Sequence, residues 1–363
     1  MKKIMHSLFA AILILPAYSV NAQSKKLALD QLEARRDSLI AAYGQVLPEK
    51  NKGVLPKFPS PNVVIMQPEN FFQLAKINKM FGELQVQLYG KDNRKDFAEG
   101  MTVYNIPTKK IEDLTKSVCA IVHKSAIDDT DPKKPKLKRS SLTESPSRGP
   151  CPSLCDGVTF KDQKGIELLE GTGVIISSKR VLLAFHILED KKIEDYRVLL
   201  DYTINTKDVL DPDDIKKITS HVPKMDKHKD VDFDVIEIEG SFSKAHNPSV
   251  EFNKVNDLHN GDDVFMMGFP SGLPLKIADS AQVFLKGNEF FCSNLDAFAG
   301  NSGSPVFNKN GRLEGILVAG AKDYILKREN VCCELTSFPI SISENKDREI
   351  VLLMFSILGD YAK

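Results

Sequence analysis

A surplus of charge is missing from this chain: 49 Lys and Arg balance 49 Asp and Glu over 363 residues. Phosphate-backbone binding draws on a basic excess, so no nucleic-acid partner is expected. Long apolar runs are missing too. After the first 22 residues no segment reaches the about 18 consecutive apolar residues of a membrane span, so no membrane anchor is expected. No internal repeat is evident, and collagen and coiled coil are poor fits. Metal-ligand spacing is scarce. Cys151-Pro152-Ser153-Leu154-Cys155 has the look of a metal knuckle, but no second Cys/His pair accompanies it, so no metal is expected. What is present is a globular composition, 42% hydrophobic and 27% charged, in a chain long enough for one large domain or two small ones.

The start of the chain reads as a segment to set aside. Lys2 and Lys3 precede an apolar stretch from Leu8 to Pro16, and Val20-Asn21-Ala22 is a small-x-small cleavage pattern. Residues 1–22 therefore look like a secretory signal peptide, and the mature protein is expected to be secreted or periplasmic. Its cysteines are Cys119, Cys151, Cys155, Cys292, Cys332 and Cys333. In an exported protein an even number favours disulfides, with a pairing that sequence leaves open.

Residues 23–85 read as a helical leader. Leu29, Leu32, Leu39, Ile40 and Tyr43 recur at helical spacing before Gly44, and Phe71 to Leu84 makes a second helical stretch. The leader is either a packing extension or a pro-segment. From about Tyr104 short β-rich runs take over: Ser117–Val122, Gly173–Ser177, Arg180–Ala184, Tyr196–Leu200, Val231–Ile238, Asp263–Met267, Ala281–Leu285 and Leu313–Val318. Such spacing predicts an antiparallel sandwich or barrel. Asp131 to Pro150, rich in Lys, Ser and Pro, reads as a solvated loop, and 346–363 as a closing amphipathic helix.

The strongest chemical signal is Gly300-Asn301-Ser302-Gly303-Ser304-Pro305. A serine in a glycine-rich turn can sit where backbone N–H groups converge, which is what an oxyanion needs during acyl transfer. Its hydroxyl needs a base. His186 stands at the end of an apolar run, Val181 to Phe185, shortly after Gly171-Thr172-Gly173. The other histidines of the mature chain, His123, His221, His228, His246 and His259, lack that setting and read as solvated. The base needs an orienting carboxylate, and Val231-Asp232-Phe233-Asp234 offers two. In a strand both would share a face. Asp232 is preferred, because apolar Val235, Ile236 and Ile238 then follow at fitting positions, and Asp234 stays the alternative.

The order His186, Asp232, Ser302 and the GNSGSP motif resemble the trypsin-like, chymotrypsin-fold serine peptidases, near the bacterial branch that includes glutamyl endopeptidases. The likeness spans about 86–345. It includes Leu88 to Arg94, Gly268-Phe269-Pro270-Ser271-Gly272-Leu273-Pro274, Asn294 to Phe298, and Glu314 to Val318. It implies an all-β fold of two six-stranded antiparallel barrels with a boundary near 240–250, and a peptidase acting on protein or peptide substrates without a cofactor. By that resemblance Gly300 and Ser302 N–H groups form the oxyanion hole, and Val318, Ala319 and Gly320 pair with the substrate strand. Asp296, six residues before Ser302, is either the carboxylate of the primary pocket or a loop tie. Leu317 and Ala297 stand where glutamyl specificity expects His and a hydroxyl.

The chain also departs from the pattern. Ile187 and Gly171 replace both halves of a common bridge, bulky Phe185 would crowd the base, and Val318 replaces a serine that often bonds the Asp. Asn301 is neutral and cannot pair with a new N-terminal ammonium, so any activation is expected to uncover the cleft. Two rivals are a noncatalytic binding module on this fold and an HtrA-like protease, for whose peptide-binding module the residues after 345 are too few.

Overall fold

Short apolar runs broken by turn residues can bury themselves only by pairing edge to edge, and they do so twice here. The computed structural model describes most of 92–354, apart from 99, 146–150, 152, 223–231, 247–249, 256, 321–322, 328–331, 336 and 339–348. It also describes residue 357 and the short strands at 45–46, 64–65 and 88–89. The expected signal peptide, the leader helices and the end of the tail lie outside the described residues.

The first barrel consists of β1 Val118–His123, β2 Leu169–Ile175, β3 Arg180–Leu183, β4 Tyr196–Leu199, β5 Ile215–His221 and β6 Asp234–Ile238. They close in the order β1-β2-β3-β6-β5-β4, all antiparallel. The second consists of β7 Asp263–Gly268, β8 Lys276–Lys286, β9 Phe290–Ser293, β10 Pro305–Asn308, β11 Leu313–Ala319 and β12 Glu349–Leu353. It repeats the order, β7-β8-β9-β12-β11-β10, closed by β7 against β10, with Arg94–Asp96 added at β8. This is the chymotrypsin-like double barrel. The chain crosses from one barrel to the other between Ile238 and Asp263.

Barrel closure explains why several strands lack a polar face. β1 is buried from Val118 to Val122, and β12 throughout, because each has a partner on both edges and side chains packed on both faces. Helix α1, Thr108–Thr115, starts after Pro107 and turns Ile111 and Leu114 inward. Truncating Ile111 to Ala is expected to cost about 2–5 kcal/mol.

Two readings change. The tail expected to begin a helix is strand β12 over 349–353; a run of five buried residues carries no period to separate helix from strand. The Lys, Ser and Pro-rich segment is not simply a solvated loop. Its strands Lys136–Leu137 and Arg139–Ser141 pair with Ile127–Asp128 and Lys164–Ile166, and Pro135, Leu137 and Leu142 are buried. Disulfides Cys151–Cys333 and Cys155–Cys332 then fasten this insertion to a hairpin, Tyr324–Lys327 with Cys332–Leu335, between β11 and β12. Leu142, Leu154, Val158, Leu273, Phe298 and Tyr324 pack around the junction. Cys119 and Cys292 are buried and lie outside both disulfides.

Candidate active site

The imidazole and its carboxylate come from the first barrel. β3 ends at Leu183, and a single 3-10 turn, Phe185–Ile187, follows Ala184. Ala184 and Ile187 are buried, which leaves His186 half-exposed at the barrel edge. Asp232 lies two residues before β6 with φ 53°, a left-handed backbone that Asp tolerates because its short side chain bonds locally. That side chain bonds to His186. Asp232 Oδ1 accepts the His186 backbone N–H at 3.0 Å, and Oδ2 lies 2.8 Å from Nδ1. The Phe185 N–H donates to the Asp232 carbonyl at 3.3 Å.

Asp234, the alternative, points elsewhere. It is the first residue of β6, 2% exposed, and its carboxylate takes His221 Nδ1 at 2.5 Å. The shared face expected of the two aspartates fails because Asp232 precedes the strand and its left-handed backbone breaks the alternation. His221 and His246, read as solvated, are both paired, His246 Nε2 with Asp201 at 2.9 Å.

The serine comes from the second barrel, in the turn leading to β10. Gly300 and Gly303 have φ 96° and 81°. A Cβ at Gly303 would lie 2.1 Å from the Thr172 carbonyl oxygen, and one at Gly300 would lie 2.5 Å from that of Phe269. The turn is laced by backbone bonds: Asn301 N–H to Phe298 O at 2.8 Å, Gly303 N–H to Leu317 O at 2.7 Å and Ser304 N–H to Asn301 O at 2.8 Å. Thr172 of β2 spans the barrels. Its N–H donates to the Ser302 carbonyl and its hydroxyl to the Gly300 carbonyl, both at 2.8 Å.

These supports bring Ser302 Oγ to 2.8 Å from His186 Nε2. Phe185 therefore does not crowd the base. Ile187 also accounts for the missing bridge: its Cδ1 packs where a side chain at position 171 would begin, 2.5 Å from a Cβ placed there. Among the described residues no protein acceptor takes the N–H of Gly300 or Ser302. The arrangement can pass a proton from the hydroxyl to the imidazole.

Around this centre, Asp296 is 2% exposed and its Oδ2 accepts the Asn93 N–H at 2.7 Å. Val318 is buried at the end of β11, Ala319 is half-buried and Gly320 is exposed above the Glu349 carboxylate. Asn301 is 1% exposed, with its Oδ1 accepting from the Ser304 hydroxyl at 3.3 Å. Gly268 makes room for that pair, since a Cβ there would lie 2.0 Å from Ser304 Oγ. Sequence reading missed the roles of Thr172, Ser271 and Asp323 around the serine turn. The Gly-Thr-Gly and Gly-Phe-Pro-Ser-Gly segments carried the signal, because small residues there permit close backbone approach.

Asp201, Asp214 and His246 offer possible metal-ligating atoms within 4.8 Å of one another. Lys116 Nζ, however, sits 2.7 Å from both Asp201 oxygens, so the group forms an ion-paired cluster that a cation would have to break.

Residues 171–316, which contain His186, Asp232 and Ser302, match the family model of the trypsin-like peptidase domain. That stretch is trypsin-like in sequence. Among solved structures the chain is similar to an inactive Ser-to-Ala mutant of Rv3671c from M. tuberculosis H37Rv, with 15% identity and TM-score 0.40 over 74% of this chain and 95% of that one. It is also similar to the inactive form of the Rv3671c protease, with 16% identity and TM-score 0.38 over 70% and 91%. No curated protein matches it in sequence.

Proposed function

We propose that this protein is an exported serine endopeptidase. The observation that carries the reading is the continuous contact from Asp232 through His186 to Ser302 Oγ, 2.8 Å at each side of the ring. Ser302 Oγ attacks the peptide carbonyl carbon while its proton moves to His186 Nε2. Asp232 holds Nδ1–H and stabilises the imidazolium that results. The carbonyl oxygen, now negative, receives the Gly300 and Ser302 N–H groups. Collapse of the tetrahedral intermediate breaks the C–N bond, and His186 gives its proton to the leaving amine. Water, deprotonated by the same imidazole, then attacks the acyl carbon, and collapse of the second intermediate breaks the C–Oγ bond while His186 returns its proton to Ser302 Oγ, releasing the acid.

An extended substrate would pair with Val318, Ala319 and Gly320, where β11 ends. For Asp296, the bond from Asn93 supports the tying role over the pocket role. Asn301, neutral and buried against Ser304, offers no carboxylate to a new N-terminus. Activation, where needed, then works by uncovering the cleft. The signal-peptide pattern and the two disulfides support export to the periplasm or beyond.

A cleavage profile on a peptide library tests the reading. The wild type should cut internal peptide bonds with a definable residue preference, and Ser302→Ala should cut none. A folded wild type without turnover favours the binding-module alternative.

A further inference from the structure

The oxyanion turn has a weak point. Gly300, at φ 96°, has no side chain to anchor it, and glycine crosses between backbone regions at little cost. Rotation of the peptide joining Ala299 to Gly300 would exchange the Gly300 N–H for the Ala299 carbonyl, turning a donor into an acceptor where negative charge develops. Every described peptide here is trans, so that carbonyl and that N–H point to opposite sides. Whatever holds the Ala299 carbonyl therefore aims the Gly300 N–H.

Ala299 is exposed, so packing does not pin it; two polar contacts do. The backbone N–H of Ser271 donates to the Ala299 carbonyl at 2.5 Å. Both carboxylate oxygens of Asp323 accept the Ala299 N–H, at 3.0 and 3.2 Å. The two arms are joined behind the turn. Ser271, 1% exposed with φ 53°, has its hydroxyl 3.2 Å from that of Tyr324, the residue after Asp323. Neither arm belongs to the turn itself.

We infer that Asp323 and the Ser271 turn clamp Ala299 so that the Gly300 N–H faces the substrate carbonyl, which makes Asp323 a positioning residue for the oxyanion hole. The inference rests on the serine-peptidase reading above. In a turn where Asn301 can form no ion pair, the clamp supplies the rigidity from outside. Ionised Asp323 makes the stronger bond, but an amide oxygen at the same place also accepts an N–H.

The test compares Asp323→Leu, which keeps the side-chain shape without an acceptor, with Asp323→Asn, which keeps one. Thermal melts establish folding, and Asp323→Ala replaces the Leu variant should that one not fold. Kinetics on a good peptide substrate should show kcat reduced ~10- to 100-fold in Asp323→Leu, below the ~10²–10³ for deleting a donor outright. KM should stay within about 3-fold, and Asp323→Asn should keep kcat within about 3-fold of wild type. Affinity for a peptide aldehyde, whose adduct places an oxyanion in the hole, should fall with kcat. A folded Asp323→Leu with wild-type kcat and aldehyde affinity overturns the clamp while leaving the peptidase reading intact. So does an Asn variant as impaired as the Leu variant. A folded wild type that neither turns over peptides nor reacts with a serine-directed phosphonate removes the peptidase reading and the clamp together.

Discussion

The two barrels share a strand order and hold their parts of the site in different ways. The first supplies His186 and Asp232 through one side-chain pair, reinforced by two backbone N–H bonds to Asp232. The second supplies Ser302 through a mesh of backbone bonds spread over Phe298, Asn301, Ser304 and Leu317, with Thr172 reaching across. A site held by one pair should break at one residue. A site held by a mesh should weaken in steps and register in stability as well as rate.

The largest break is expected at the contact between the barrels. His186→Ala should lower kcat about 10⁶-fold with an unchanged melting curve, measured by peptide hydrolysis. A smaller loss separates the neighbouring aspartates. Asp232→Asn should cost about 10⁴-fold in kcat, by leaving the imidazole in the wrong tautomer. Asp234→Asn, which acts on the His221 pair, should change kcat by less than about 3-fold. Equal losses would mean that the alternation of the strand, and not the turn before it, sets the carboxylate. In the mesh, Gly303→Ala would put a Cβ 2.1 Å from the Thr172 carbonyl in a left-handed backbone. It should lower kcat and Tm together, by about 1–3 kcal/mol in stability, as read by denaturant unfolding beside the kinetics.

The last effect is a pH dependence, read in stability alone. Burial pushes the Asp323 carboxyl up to about 7, against the pull of the Ala299 N–H and Arg94. A carboxyl with a raised folded pKa favours the folded state when protonated, and this contribution is lost as pH rises from its unfolded value through about 7. Asp323→Asn should therefore gain Tm relative to wild type between about pH 5 and about pH 8. Parallel melting curves at both values would contradict the assigned burial.

Local pattern carried a good part of this in advance. GNSGSP leads into β10, which begins at its proline, and the apolar run before His186 holds most of β3, because glycine turns and buried strands both leave short-range marks. β5 escaped notice since Ile218 is its one buried residue and two adjacent lysines, Lys216 and Lys217, interrupt any alternation. The Glu349–Leu353 strand escaped for the opposite reason, being buried throughout. The apolar residues after Asp232 favoured it over Asp234, but its left-handed backbone leaves no such mark, and pairing Cys151 with Cys333 needed contact across 182 positions of sequence. Asp323 on Ala299 is likewise a meeting of distant segments that no local period announces.

The central claim is that Ser302 is a nucleophile activated by His186. Covalent labelling with a serine-directed phosphonate, read by peptide mass mapping, tests it directly. One label on Ser302 in the wild type, with none in Ser302→Ala and far slower labelling in His186→Ala, is the predicted result. A folded wild type that stays unlabelled, or labelling that persists unchanged in Ser302→Ala, contradicts it.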